Sequence, residues 1–343
     1  MRGYFRSAPR LVADELSTTI WDPSIEAAPL DEKIRHHVAL NLPRSLMAPS
    51  LSTDEKTKMG EAYLDGKFGA PEDVKHAIWW FTAAAKEGDA DGQFQLGLLY
   101  EQGGRSELDD DDLAFDWFMK AAQLGHAKAA LVIGRWFQQG RGPTPVAKVE
   151  RLGRAAPRTP IARRGERELL EEGLRWFMLA AQRQLPEGQY EVGRCYESGQ
   201  GCAKKTLEEA VVYYRMASSQ GFPPAQYRMG VCYERGEGVG SQDWYQAVNL
   251  YRRAAEQGNA EARVALGKCL ERGVGGLERS MTTAAAMYGL AAAQENAEAQ
   301  YLYGLCCEEG RGVNRDDELA LAWYRKAAYQ GYEPAKEKLR GRG

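Results

Sequence analysis

The chain has no run of apolar residues approaching the ~18 that a membrane-crossing helix needs. Its opening residues hold no apolar core of the secretory type, so no export signal is expected there. Charge of one sign is missing too. Forty-eight acids face 45 bases, a formal net charge of −3 over 343 residues, so any electrostatic binding has to come from local patches. Histidine is scarce: His36, His37, His76 and His126 are scattered and make no H-E-x-x-H. There is no S-x-x-K, no G-x-x-x-x-G-K-[ST] and no C-x-x-C. The first three absences exclude zinc-protease, serine–lysine and nucleotide-loop chemistries in turn, and the last leaves no cysteine pair at a metal-site spacing. The expectation is a chain that is not an enzyme and carries no cofactor or metal.

What is present is a period. Glycine recurs at Gly60, Gly97, Gly134, Gly193, Gly230, Gly267 and Gly304; five of the six intervals are 37 residues and the sixth is 59, which is 37 plus an insertion of 22. Fixed periods of roughly 20–50 residues belong to solenoids, whose units bury their apolar faces only against neighbours. Within one unit, the segment PAQYRMGVCYERG has the three-and-four spacing of an amphipathic helix. Gly236 and Gly238 fit a cap with positive φ, and Asp243 with Gln246 fits the start of a second helix. That second helix, WYQAVNLYRRAAEQG, ends at Gly258. Each second helix repeats a large pair and then a small pair, as in Trp117–Phe118 followed by Ala121–Ala122 and Trp323–Tyr324 followed by Ala327–Ala328. Rings supply buried area, and the small residues one turn later let a neighbouring helix approach. The fold predicted is all-α: a right-handed α/α superhelical solenoid of seven helix-turn-helix repeats, about 60–80 Å long at roughly 8–10 Å per repeat.

Cys195, Cys232, Cys269 and Cys306 share the 37-residue spacing. Equivalent positions of stacked units lie about 8–10 Å apart, too far for a disulfide and unable to surround one metal ion. They read as buried, reduced thiols.

The pattern of a glycine and an aromatic in the first helix, a G-x-G turn, then A-x-x-W/Y-Y/F-x-x-A-A-x-x-G resembles the SEL-one-like repeat, a relative of the tetratricopeptide repeat. YRMGVCYERGEGV and CCEEGRGVNRDDELALAWYRKAAYQGY carry the resemblance, which extends over roughly residues 57 to 332. It implies an adaptor that assembles multiprotein complexes by binding one or more proteins. Glu295 and Gln184 depart from the pattern at the final glycine, Leu270 and Cys307 at the first-helix aromatic, and Gly173 at an alanine.

Three stretches fall outside the regular pattern. Residues 1–56 read as an extended arm in which Trp21 and Ile25 are candidate anchors, with one helix near 31–40 and a role in capping the first repeat or inserting into a neighbour. Its first thirteen residues carry Arg2, Arg6 and Arg10 and no acid, which resembles a short mitochondrial presequence. Pro9 breaks any amphipathic helix there, and a plain basic terminus has the same composition, so mitochondrion and cytoplasm both stand as compartments. The insertion at about 143–168 interrupts the repeat region of 57–336. Between Pro143 and Gly165 it holds Lys148, Arg151, Arg154, Arg158, Arg163 and Arg164 against Glu150 alone, with four prolines. Such a loop suits RNA phosphate or an acidic protein surface, and equally a tolerated surface insertion. An accessory subunit of a large ribonucleoprotein or membrane-protein assembly is therefore the alternative to a plain scaffold. The acidic stretch Glu107, Asp109, Asp110, Asp111 and Asp112 lacks the spacing of a calcium loop and reads as solvated. Residues 337–343 form a basic tail.

Overall fold

The computed structural model describes residues 32, 34–35, 51–102, 111–141 and 166–341, and among them there is helix and no strand. Fifteen helices are bounded: α1 Thr53–Asp65, α2 Val74–Lys86, α3 Ala90–Gln102, α4 Asp111–Gln123, α5 Ala127–Gln138, α6 Glu166–Gln182, α7 Pro186–Ser198, α8 Leu207–Ser219, α9 Pro223–Arg235, α10 Trp244–Glu256, α11 Ala260–Arg272, α12 Met281–Ala293, α13 Ala297–Glu309, α14 Asp317–Tyr329 and α15 Glu333–Arg340. They form two units, residues 1–129 and 130–343. Within the first, α1 to α4 pack each on the next; within the second, α6 to α15 do the same. This is the tandem helix-pair architecture that the 37-residue period predicts.

The period has a packing cause. In each of the seven pairs, the second large residue of the second helix lies flat on the repeated glycine of the first helix. A Cβ on any of those glycines would stand 2.4–2.7 Å from the nearest ring atom, from Phe81 over Gly60 to Tyr324 over Gly304. The ring is fully buried at every step: Phe81, Phe118, Phe177, Tyr214, Tyr251, Tyr288 and Tyr324 are each 0 % exposed. Its partner in the pair is only half-buried at six of the seven positions. Trp80 is the exception. It packs in a cluster with Ile34, Leu51, Met59, Ala62 and Ala70, so Ile34, from ahead of the repeats, helps to bury it.

The G-x-G turns do two different jobs. Gly199, Gly236, Gly273 and Gly310 are left-handed C-caps at φ between 71° and 83° or, for Gly310, 67°. The second glycine instead presses on the preceding repeat: a Cβ on Gly238 would meet the Leu207 carbonyl oxygen at 3.0 Å, and one on Gly312 would meet that of Met281 at 2.1 Å. Asp243 caps α10 by accepting from the Gln246 amide at 3.0 Å. The Gln246 side chain makes no return bond to the cap, so the motif is half of a capping box. Ser52 and Glu55 form the complete box at the start of α1.

At the C-terminal end the chain continues as α15, with Pro334 in its first turn. Its Ala335 is buried and Leu339 packs on the Tyr324 cluster. Helix therefore begins ahead of residue 57 and runs past residue 336.

Candidate partner-binding surface

Counting from each N-cap shows what the first helices offer. Six of the described positions five residues in carry Phe94, Leu131, Tyr190, Tyr227, Val264 and Tyr301. Where that residue is aromatic it leans on the buried ring of the same pair: Phe94 on Phe118 and Tyr190 on Tyr214 at 5.7 Å, Tyr227 on Tyr251 at 5.9 Å, Tyr301 on Tyr324 at 5.7 Å. A third ring often closes the group, His126 at 4.4 Å from Phe94 and Phe222 at 5.5 Å from Tyr190.

Twelve residues in stands a glutamate, at Glu197, Glu234, Glu271 and Glu308, with spacing of 37. Its carboxylate accepts the hydroxyl of the buried tyrosine: Tyr214 donates to Glu197 and Tyr251 to Glu234 at 2.5 Å, Tyr324 to Glu308 at 2.7 Å. Tyr288 faces Glu271 without closing the bond. Burial pushes the phenols of Tyr214, Tyr251 and Tyr288 well above their ordinary range, and at Tyr251 the bond to Glu234 adds to it. At Tyr214, Tyr251 and Tyr324 the hydroxyl acts as a donor.

Ion pairs tie successive first helices of the second unit together. Arg135 of α5 meets Glu191 of α7 at 3.3 Å, Arg228 of α9 pairs with Glu197 of α7, Lys268 of α11 with Glu298 of α13 at 2.5 Å, and Lys338 of α15 with Glu308 of α13 at 2.9 Å. A row of glutamines runs alongside: Gln220 donates to Gln189 at 2.8 Å, Gln257 to Gln226 and Gln330 to Gln300 at 2.9 Å. Half-exposed charges and rings are thus held in fixed register, which lowers the ordering cost of binding.

The repeated cysteines lie beneath this row. Cys195, Cys232, Cys269 and Cys306 are buried, and all six cysteines are free. Burial pushes the Cys195 thiol up to about 12 and those of Cys269 and Cys306 up to about 11, so they are poor nucleophiles.

The residues singled out in sequence for binding, Lys148, Arg151, Arg154, Arg158, Arg163 and Arg164, lie outside the described residues. So do the arm anchors Trp21 and Ile25, the first thirteen residues, and Glu107, Asp109 and Asp110 of the acidic stretch. Asp111 and Asp112 stand in the first turn of α4, where they favour the helix dipole. The glutamate row was overlooked in sequence although its 37-residue recurrence is visible there, because one carboxylate on a helix looks like any solvated residue. His126, left without a role by sequence, caps α5: its Nδ1 accepts the Ala129 amide at 3.0 Å and its Nε2 lies 2.9 Å from Asp91.

Comparison with known proteins agrees with this geometry. The Sel1 repeat model matches residues 57–89, 90–126, 186–222, 223–259, 260–296 and 297–332. It skips 127–185, the pair α5–α6 that flanks the insertion, yet Phe177 meets Gly134 there as its counterparts do elsewhere. No curated protein matches the chain. Among solved structures, c5321, a protective antigen of uropathogenic Escherichia coli strains displaying an SLR fold, superposes with a TM-score of 0.66 at 26 % identity over 85 % of this chain. The match spans 56 % of that protein. A Sel1 repeat protein from Oxalobacter formigenes gives 0.58 at 24 % identity, over 76 % of this chain and 91 % of the other.

Proposed function

The chain belongs to the Sel1 repeat family, whose members are in general protein-interaction adaptors and typically non-catalytic, and from that premise we propose that it is a scaffold which holds one or more protein partners of a multiprotein complex along its first helices. The observation that carries this reading is the row of half-exposed rings and charges on α7, α9 and α13, each set beside a buried tyrosine bonded to glutamate. Capture of the full tagged chain from its source cells tests it. A partner should co-purify in stoichiometric amount and be lost when the exposed Arg194 and Arg235 are changed to glutamate. Recovery of the chain alone, or a partner indifferent to both changes, refutes the reading.

The excess of five positive charges between Pro143 and Gly165 favours a second reading, contact with RNA as an accessory subunit of a ribonucleoprotein. RNA held by Lys148 and the arginines would dissociate steeply with added salt. It would also be released when Arg151, Arg154, Arg158, Arg163 and Arg164 become alanine. Retention unchanged by the five substitutions removes this reading.

A further inference from the structure

The second unit fills the same polar niche at three consecutive-repeat steps and leaves it open at a fourth. The niche is bounded by the glutamate of one first helix, the buried tyrosine of its pair, and the residue six positions into the next first helix. At the α7–α9 step that residue is Arg228, which pairs with Glu197. At the α13–α15 step it is Lys338, 2.9 Å from Glu308 and with its Nζ 6.0 Å above the Tyr324 ring. At the α11–α13 step Leu302 stands there, and the turn supplies Arg311 instead, 3.8 Å from Glu271.

At the α9–α11 step the residue is Ala265. Glu234 accepts the Tyr251 hydroxyl at 2.5 Å, and no ion pair to it forms among the described residues. A cavity of about 150 Å³ opens in place of the missing side chain, lined by Tyr227, Glu234, Tyr251 and Ala265 among others. Pockets for drug-sized molecules run to about 300–1,000 Å³; this one has room for a single long side chain. Glu234 is half-buried on its inner wall, while Glu261, Arg235 and Arg272 are exposed at the rim. Lys268, also at the edge, is committed to Glu298 at 2.5 Å. A partly desolvated carboxylate with one hydroxyl donor gains most from a second, charged donor, and the tyrosine faces beside it favour a cation.

We infer that this niche is a recognition pocket for one arginine or lysine side chain projecting from an extended segment of a protein partner. The guest completes between α9 and α11 the glutamate–tyrosine–cation contact that Arg228 and Lys338 complete within the chain. The inference rests on the scaffold reading and adds to it the chemistry of one contact.

A random peptide library displayed on phage and panned against the full chain tests it. Selected peptides carry arginine or lysine at one fixed position. A fluorescent copy of the selected peptide binds about tenfold or more weakly after Glu234→Gln, the loss expected for one charge-assisted bond. Ala265→Arg, which supplies from within the side chain tolerated at Arg228, blocks the peptide while leaving the melting temperature unchanged or raised. If Ala265→Arg fails to fold, Glu234→Gln decides alone, because glutamine keeps an acceptor for Tyr251. Selection of peptides without a basic residue, of acidic peptides drawn to Arg235 and Arg272, or of none at all overturns the inference. So does affinity unchanged in both variants. Capture of a partner from cells remains a separate result, so the scaffold reading can survive that failure.

Discussion

Gly267→Ala is the sharpest probe of the packing rule. An added Cβ would stand 2.4 Å from Cε1, 2.9 Å from Cδ1 and 3.0 Å from Cζ of Tyr288. Ordinary carbon contacts are about 3.5–4.0 Å, so the ring would have to retreat by roughly 1 Å. It has nowhere to go: Tyr288 is 0 % exposed, and Ala284, Ala291 and Ala292 pack in the same cluster. Alanine inside a helix gains about 1 kcal/mol over glycine, whereas overpacking a filled core costs about 1–3 kcal/mol. The expected balance is a loss of up to about 2 kcal/mol. Gly289→Ala on α12 is the matched control. Its nearest neighbour is the edge of the half-buried Tyr303 ring at 3.2 Å, which can yield, so the propensity gain should prevail and stability stay level or rise. Urea unfolding followed by far-UV circular dichroism measures both, and hydrogen exchange in α11 reports the local effect where an array departs from two-state behaviour. In a Tyr288→Leu background the penalty of Gly267→Ala should shrink. If Gly267→Ala stabilises the protein as its control does, the ring does not rest on the backbone and the packing account of the period is wrong.

Two further outcomes follow from local geometry. Glu295 sits at φ 65° and Gln184 at φ 60° where other repeats place glycine. A left-handed residue with a Cβ costs about 1–2 kcal/mol, partly offset by the greater freedom of glycine when unfolded. Glu295→Gly should therefore raise the urea midpoint by an amount equivalent to roughly 0.5–1 kcal/mol, and a lower midpoint contradicts the strain. For His126, burial holds the imidazole below its ordinary value of 6.5 against the pull of Asp91. The folded state thus binds fewer protons than the unfolded one, so the stabilising effect is full above that value and is lost as pH falls through the folded one. Melting curves of the wild type should weaken on acidification below about 6.5. His126→Asn, which installs the cap used at Asn259 and Asn296, should flatten that dependence; an unchanged slope rules His126 out as its source.

The sequence makes the repeat legible because its strongest signals share one contact. A ring too large for any neighbour with a Cβ forces the glycine beneath it, so Gly230 and Tyr251 announce each other across 21 residues. Caps are equally local, which is why Gly236 and Asp243 stand where expected. The polar contacts were hidden for the opposite reason. Arg228 and Glu197 lie on different helices 31 residues apart, and neither residue is unusual on a helix surface. Trp80 shows the limit of reading by period alone: aligned with six half-buried counterparts, it is covered by Ile34 from outside the repeats. Gly173 is similar, since a Cβ there would lie 3.0 Å from the Gly134 carbonyl oxygen. What looks like a departure from the pattern is a closer approach of α5 and α6.

The sulfurs buried in each of the last four helix pairs give the molecule a record of its own opening. Sealed under the first helices and held protonated near neutrality, the thiols of Cys195, Cys269 and Cys306 stay silent toward alkylating reagents until their own hairpin loosens. Mass mapping of timed alkylation would then show in what order the hairpins from α7 to α14 breathe. It would do so without substituting a single residue of the chain.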